Sequence, residues 1–345
     1  MGNILKVVFV IVGAIIGAGF ASGQEIKLFF NKYGEIGIIG VILSCIIIGI
    51  IIYKVLQIMV EKDIKTYAQF SDRIFKVKNK FIQNVIKNII NIFLLISFYI
   101  MIAGFAAYFK QELNTTTFVG AVTIAMLCYI TFNKNIQGII KANQILMPAL
   151  IILILILGIN TIEFNNLNLS PIQEYKQETT FAPNWFISSI IYASYNSVVL
   201  IPVLITLNEY VKTKKDVTLI SALSTIIIMI LAIIIYLILN TTNVENAEIP
   251  IVYIASKLGN ISKYVYGFVV LVAIFTSAIS GGYSFLKNVT KTKKSYITLA
   301  AILCFISIFI AEIGFSVLMN LLYPIFGYLG IIQIFLIILE KRKHN

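Results

Sequence analysis

Long apolar runs, parted by short clusters of charged or turn-forming residues, are the dominant pattern of this 345-residue chain. A helix that crosses a bilayer needs about 20 apolar residues. The runs divide into ten segments of that order, near 5–30, 36–58, 84–109, 117–132, 137–159, 184–207, 217–239, 262–286, 295–313 and 315–339. The joints carry turn chemistry or charge, as in Asn31-Lys32-Tyr33-Gly34-Glu35 and Lys212-Thr213-Lys214-Lys215-Asp216. The last two runs are separated only by Glu312–Gly314. A shorter apolar piece, Ile249–Leu258, cannot span and is expected as a re-entrant or surface helix.

Composition turns this pattern into a class. Hydrophobic residues make up 59% of the chain and charged residues 12%, with a mean hydropathy of +0.94. A soluble domain carries about 25% charged residues, so a soluble enzyme is excluded and an all-α integral membrane protein of ten transmembrane helices is expected. The formal charge of +12 would suit nucleic acid if it were spread over one surface. It is not: with the N-terminus inside, 21 of the 27 Lys and Arg residues fall on the inner side and nine of the 15 acidic residues on the outer side. The balance is +15 inside against −3 outside. Positive charge marks the cytoplasmic face, which places both termini in the cytoplasm of a cell-membrane protein. The partners expected are therefore the lipid bilayer and a small-molecule substrate, not nucleic acid; oligomeric state is open.

Other counts narrow the chemistry. Cys45, Cys128 and Cys304 each lie inside an apolar run, so no disulfide or metal framework is implied. The single histidine is His344, near the end, which leaves no histidine catalysis or His-ligated metal centre. No enzyme constellation and no cofactor motif is visible. The first apolar run lacks a small-residue cleavage site and reads as a retained helix rather than a signal peptide.

The informative segment is Gly13-Ala14-Ile15-Ile16-Gly17-Ala18-Gly19-Phe20-Ala21-Ser22-Gly23-Gln24-Glu25, with four glycines in eleven residues. Each glycine weakens a helix by about 1 kcal/mol relative to alanine. Clustered within a membrane they permit a break, and the backbone groups so freed survive only where they line a cavity or bind something. Three other readings compete. A phosphate-cradling dinucleotide loop lacks its βαβ context. Gly13-x-x-x-Gly17 is also the spacing of a close helix–helix contact. Glu25 could serve as a partner of Lys27 or as an outer loop charge. Gln24 and Glu25, polar groups at the end of an apolar run, are candidates for gating or coupling.

Gly13-x-x-Ile16-Gly17-x-Gly19 resembles the broken first helix of the amino acid–polyamine–cation transporter superfamily, the LeuT fold. The longer string Gly17-Ala-Gly-Phe-Ala-Ser-Gly-Gln-Glu25, with Phe29-Phe30 and Tyr33-Gly34, is similar to the YkvI-like bacterial membrane proteins. The resemblance implies a 5+5 inverted repeat, 1–159 and 184–339, joined by an external connector at 160–183 and followed by a cytoplasmic tail, 340–345. It also implies a discontinuous first helix, with a sixth-span counterpart. In sodium-coupled members an Ala-x-x-[Ser/Thr]-[Ser/Thr] stretch of the eighth helix ligates the ion. Carried over, the sodium ligands are the carbonyls of Gly13, Ile16 and Ala273 and the hydroxyls of Thr276 and Ser277. Thr276 and Ser277 could equally bond back to their own helix. Proton-coupled relatives use a fifth-helix lysine instead; Lys141 lies too near the cytoplasmic start of that helix, which favours sodium.

By the same resemblance, substrate meets the break at Gly17, Ala18, Gly19, Phe20 and Ala21, with a negative group facing the backbone amides there. Tyr99 of the third span is a further candidate, as are Tyr195 and Asn196 of the sixth. Residues 192–197, Tyr-Ala-Ser-Tyr-Asn-Ser, are the polar cluster of that span, without Gly or Pro. The cluster either unwinds the helix or lines the cavity from an intact face. The function implied is sodium-coupled symport of a small polar solute such as an amino acid. The alternatives are a proton-coupled transporter and an amino-acid-sensing subunit of a spore-germinant receptor.

Overall fold

In a bilayer an apolar run can satisfy its own amide and carbonyl groups only as a helix, and helices occupy each of the runs. A computed structural model describes residues 2–75, 80–133, 137–164, 182–241, 243–244 and 246–340. The elements in chain order are α1 (Gly2–Ile15), α2 (Ala18–Ala21), α3 (Gln24–Phe29), a 3₁₀ turn (Asn31–Ile36), α4 (Gly37–Glu61), α5 (Tyr67–Phe75), α6 (Lys80–Leu113) and α7 (Thr117–Phe132). They continue with α8 (Gln137–Phe164), α9 (Trp185–Thr206), α10 (Lys214–Asn240), α11 (Pro250–Lys257), α12 (Asn260–Val289), α13 (Lys293–Ala311) and α14 (Phe315–Leu339). Among the described residues there is no strand. Seven helical stretches are long and apolar enough to cross a membrane, and Ile4–Ile15, Thr117–Phe132 and Pro148–Thr161 are shorter apolar helices.

Turn chemistry sets the helix ends where polar residues interrupt the runs. Thr116, Asn184 and Thr292 cap α7, α9 and α13 with side-chain oxygens that accept from the first-turn amides. Thr213 and Asp216 form a reciprocal capping box on α10. The short piece between the seventh and eighth runs is α11, entered through Pro250 at its first position. The linker at 165–181 and the tail at 341–345 lie outside the described residues, as does the side chain of Lys141.

The first span is interrupted. α1 stops at Ile15, Gly17 is extended (φ −76°, ψ −172°), and a second turn at Ser22-Gly23 separates α2 from α3. Gly23 takes φ +80°, and a Cβ there would lie 2.6 Å from Ile251. Both the backbone conformation and the close approach of α11 therefore require glycine.

The expected break in the sixth span does not occur: α9 is one continuous helix from Trp185 to Thr206. Three of the polar side chains that suggested unwinding bond within it instead. Ser194, Asn196 and Ser197 donate to the carbonyls of Ile190, Tyr192 and Ala193, each four residues back, at 2.6–3.0 Å. Those groups are satisfied without opening a turn. Pro202 is also accommodated inside the helix.

α9 lies at the centre, against α4, α14, α1 and α3. Its contact with α14 depends on two missing side chains. A Cβ on Gly327 would come within 2.7 Å of the Ile191 carbonyl oxygen, and one on Gly330 within 2.7 Å of the Ser194 carbonyl oxygen. Such small-residue seams let membrane helices approach backbone to backbone. On the outside, large apolar side chains such as Met126, Phe305, Phe309, Ile332 and Phe335 are left exposed, as a lipid-facing surface requires.

Gly327→Ala and Gly330→Ala are each expected to destabilise the protein by about 1–3 kcal/mol, because the obstructing atom is backbone and cannot rotate away. Thermal unfolding in detergent, with Gly17→Ala as a sterically free control, checks this.

Candidate functional site

The break in the first span frees backbone groups near the middle of the helical core. The Gly17 amide donates to the Ile15 carbonyl at 2.8 Å rather than to Gly13, four residues back. The carbonyls at the end of α1 are thereby released from the helical ladder. α2 is short and wholly buried, and a Cβ built on Gly17 meets no atom within 4 Å. Space is open beside the break, so Gly17 is not a packing surface for another helix here.

Neighbouring elements take up what the break exposes. Ser22 donates to the Gly19 carbonyl at 2.8 Å, and Tyr266 of α12 donates to the Ala21 carbonyl at 3.1 Å. The Ile251 amide, at the start of α11, donates to the Ser22 carbonyl at 3.1 Å. Ser188 of α9 donates to the Phe29 carbonyl at 2.6 Å. The interrupted segment is tied to α9, α11 and α12.

Glu25 turns inward. It is 5% exposed, and the Tyr195 hydroxyl donates a hydrogen bond to its carboxylate. The carboxyl group fills the place of a Gly19 side chain: a Cβ on Gly19 would lie 2.0 Å from Oε1. The Tyr195 ring is stacked on Tyr323 of α14 at 4.8 Å and on Phe29 at 5.7 Å, with Tyr192 edge-on to both Phe29 and Tyr195. Lys27 does not make Glu25 a surface charge pair; its ammonium donates to the Val244 and Ala247 carbonyls at 2.7 and 3.2 Å.

Gln24, also fully buried, donates to the Ser316 hydroxyl at 2.8 Å. Ser316 in turn donates from both its amide and its hydroxyl to Glu248, at 2.8 and 2.9 Å. Glu248 belongs to the segment leading into α11. The same segment is held from α6, where Gln111 exchanges two hydrogen bonds with the Ile249 backbone at 3.0 and 3.2 Å. Beside it, Glu112 pairs with Lys263 at 3.1 Å. Together these contacts close one end of the helix-one break under α11. At the opposite end of the bundle Arg73 of α5 pairs with Glu340 at 2.7 Å.

The structure thus brings together Gly17, Ala18, Gly19, Phe20, Ala21, Gln24, Glu25 and Tyr195. Asn196 is buried and spends its amide on its own helix. Tyr99 is half-buried, packed on Phe98 with Cys304 of α13 as an electrostatic neighbour; no hydrogen bond or ring contact joins it to the break among the described residues. On α12, which packs against α2, Thr276 is buried and donates to the Ala273 carbonyl at 3.1 Å, while Ser277 is half-buried. Sequence reasoning missed Tyr323, Ser316, Glu248 and Tyr266. Tyr323 had a signal, a hydroxyl-bearing ring directly before Pro324 in an apolar run; the others are ordinary in sequence and significant only through contacts over 200 or more positions or across loops.

Comparison with known proteins places this geometry in context. The family described as spore germination protein matches residues 3–275. The membrane protein YkvI of Bacillus subtilis is 25% identical over 352 residues, covering 100% of this chain and 98% of its own. YyaD of the same organism is 23% identical over 340 residues, covering 95% and 94%. Among solved structures, a Na⁺-coupled sialic acid symporter in a substrate-bound outward-open state aligns with a TM-score of 0.55 at 13% identity, covering 94% of this chain and 76% of that one. A manganese transporter mutant of Eremococcus coleocola aligns with a TM-score of 0.50 at 12% identity, covering 89% and 68%. At these identities the likeness is one of fold. Both of these solved proteins are transporters, not enzymes, and this chain is a multi-pass membrane protein of that architecture.

Gly19→Ala is expected to push the Glu25 carboxyl aside and break its bond to Tyr195. Tyr195→Phe should then cost less in the Gly19→Ala background than alone, with a coupling of about 0.5–3 kcal/mol in a double-mutant cycle of unfolding in detergent. Strict additivity would separate the two contacts.

Proposed function

The chain belongs to the spore germination protein family, and from that premise we propose that it is a secondary active transporter that carries a small polar solute, such as an amino acid, by alternating access. The observation that carries the reading is the break at half-buried Gly17, ahead of the wholly buried α2, with open space beside it. Irregular backbone inside a membrane is tolerated where it lines a substrate or ion pathway. The chain crosses the membrane ten times as two inverted halves, 1–159 and 184–339, with both termini in the cytoplasm. The charge asymmetry and the transporter fold support this arrangement.

Substrate sits against Gly17, Ala18, Gly19, Phe20 and Ala21, with Tyr195 and Asn196 on the facing helix and Tyr99 at the third-span wall. A negative group on the solute would be met by amides of the break. Sodium is the coupling ion, held by the carbonyls of Gly13, Ile16 and Ala273 and the hydroxyls of Thr276 and Ser277. The Gly17 amide's turn away from Gly13 supports this, since it leaves neutral oxygens at the end of α1 for a hard cation. A bound ion joining α1 to α12 would favour one access state over the other, by its differential affinity for the two.

Family membership favours a second reading, a germinant-sensing subunit that binds an amino acid and changes state without moving it. Uptake into proteoliposomes separates the two: a transporter accumulates solute down an imposed sodium gradient, and a sensor binds without uptake. A thermal-shift panel of small polar solutes, with and without Na⁺, selects the solute, since a ligand at 100 times its Kd adds about 2.7 kcal/mol of stability. Thr276→Ala with Ser277→Ala is expected to abolish sodium dependence of uptake. Full coupling in the double mutant would sink the ion site. Gly17→Leu is expected to fill the open space and block uptake while leaving the fold intact by circular dichroism.

A further inference from the structure

Glu25 differs from buried Glu112 and from the partly buried Glu248 and Glu340 in how its charge is met. Glu112 has Lys263, Glu340 has Arg73, and Glu248 accepts from the amide and hydroxyl of Ser316. Glu25 accepts one hydrogen bond, from Tyr195, and no basic side chain pairs with it among the described residues. The groups around it are phenols. Tyr192 and Tyr195 approach from α9, and Tyr323 approaches from α14. The buried Tyr192 hydroxyl makes no hydrogen bond of ordinary geometry.

The other charged and titratable groups nearby are committed elsewhere. On its own helix, Lys27 is directed to the loop carbonyls of Val244 and Ala247. Tyr236 of α10 donates to the Gly34 carbonyl, and Tyr266 of α12 donates to the Ala21 carbonyl. In the 3₁₀ turn, Lys32 lies over the Tyr33 ring and Tyr33 donates to the Ala182 carbonyl. Cys45 of α4 lies behind Tyr192. Among the described residues, Glu248 is joined to this site through Ser316 and Gln24.

A carboxylate so enclosed loses its hydration, and a single phenol does not replace it. Two remedies are chemically open, a cation beside it or a proton on it. The rings are at contact spacing, 4.8 Å from Tyr195 to Tyr323 and 5.7 Å from Phe29 to Tyr195, which leaves no room between them for an organic cation, and no cluster of metal-ligating side chains surrounds the carboxylate among the described residues. Gly19 packs on the carboxyl from the remaining side. A proton needs no room.

We infer that Glu25 is a proton-binding site, and that its protonation is what allows α2 and α3 to seat against α9 and α14 beneath α11. In the seated arrangement the carboxyl group is neutral. When the segment swings out and Glu25 meets water, the O–H bond breaks, the proton passes to solvent and the ionised form holds the segment open. Reseating takes a proton from solvent, forming one O–H bond and adding no other reactant. This adds a proton to the coupling chemistry and rests on the transporter reading in taking the helix-one segment as the moving part.

The test uses the full-length protein in liposomes and needs no solute. Ser22→Cys places a thiol in the turn beneath α11, and Asn260→Cys, on the exposed start of α12, serves as an always-accessible reference. Labelling by a membrane-impermeant thiol reagent, taken as the ratio of the two, is expected to rise about tenfold per pH unit where one proton is linked to opening, and to lose that slope in Glu25→Gln. In parallel, the infrared C=O band of a protonated carboxyl should be present in the wild type at neutral pH and lost in Glu25→Gln. Glu25→Asp, which keeps the acid and moves its band, serves if the glutamine protein does not fold. A flat labelling ratio, a slope that survives in Glu25→Gln, or an infrared band indifferent to residue 25 would each overturn the inference. Sodium-driven uptake with no such band leaves the transporter reading intact without it; the band and slope without uptake of any solute leave the proton site intact and remove the transporter reading.

Discussion

A helix can be interrupted inside a membrane only where other groups take over its backbone hydrogen bonds, and that constraint organises this molecule. The interruption at Gly17 and the turn at Gly23 would be costly in lipid. The turn at Gly23 and the ends of α2 and α3 are sustained because Tyr266, Ser188 and the Ile251 amide donate to the carbonyls of Ala21, Phe29 and Ser22. Three elements far from it in sequence are thereby drawn around one short segment. The positions of α9, α11 and α12 follow from serving it.

The same economy explains why the neighbouring helix stays whole. α9 carries a cluster of polar side chains, yet Ser194, Asn196 and Ser197 return their donors to the helix's own carbonyls. Two others face outward from its axis into the site, Ser188 to Phe29 and Tyr195 to Glu25. The result is asymmetric: one helix supplies open backbone and a carboxylate, and the facing helix supplies a rigid wall of hydroxyls and rings. Gly327 and Gly330 allow α14 to approach that wall, which is how Tyr323 comes to stack on Tyr195. The α11 segment closes the arrangement from one end through Glu248, Ser316 and Gln24. This chain of polar contacts connects the end of the first span to the start of the last.

Much of the fold was legible in the sequence. The run at 117–132 is α7, Thr117–Phe132, and the run at 315–339 is α14, Phe315–Leu339. The separate piece at Ile249–Leu258 is α11, Pro250–Lys257. These succeed because apolar length and turn chemistry are local properties. The candidate site was legible in part. The glycines of the first span flagged the backbone positions, and Glu25 stood out as a charge at the end of an apolar run. The sixth span misled because a polar cluster has two physical outcomes, unwinding or back-bonding, and composition does not distinguish them.

By itself the sequence determined the class of molecule, the positions of its long apolar helices and the place where the first span weakens. It did so because transfer of apolar surface, charge and glycine into a membrane each carries a cost that depends on the residue and its immediate neighbours. Only the tertiary structure decided that Glu25 faces inward to Tyr195 and that Lys27 serves the loop before α11. It also decided that Gln24 reaches Glu248 through Ser316. These are contacts between side chains 170 or more positions apart, or relayed across three elements. Whether a charged group ends in water or in the core depends on what packs over it, and no local pattern carries that information.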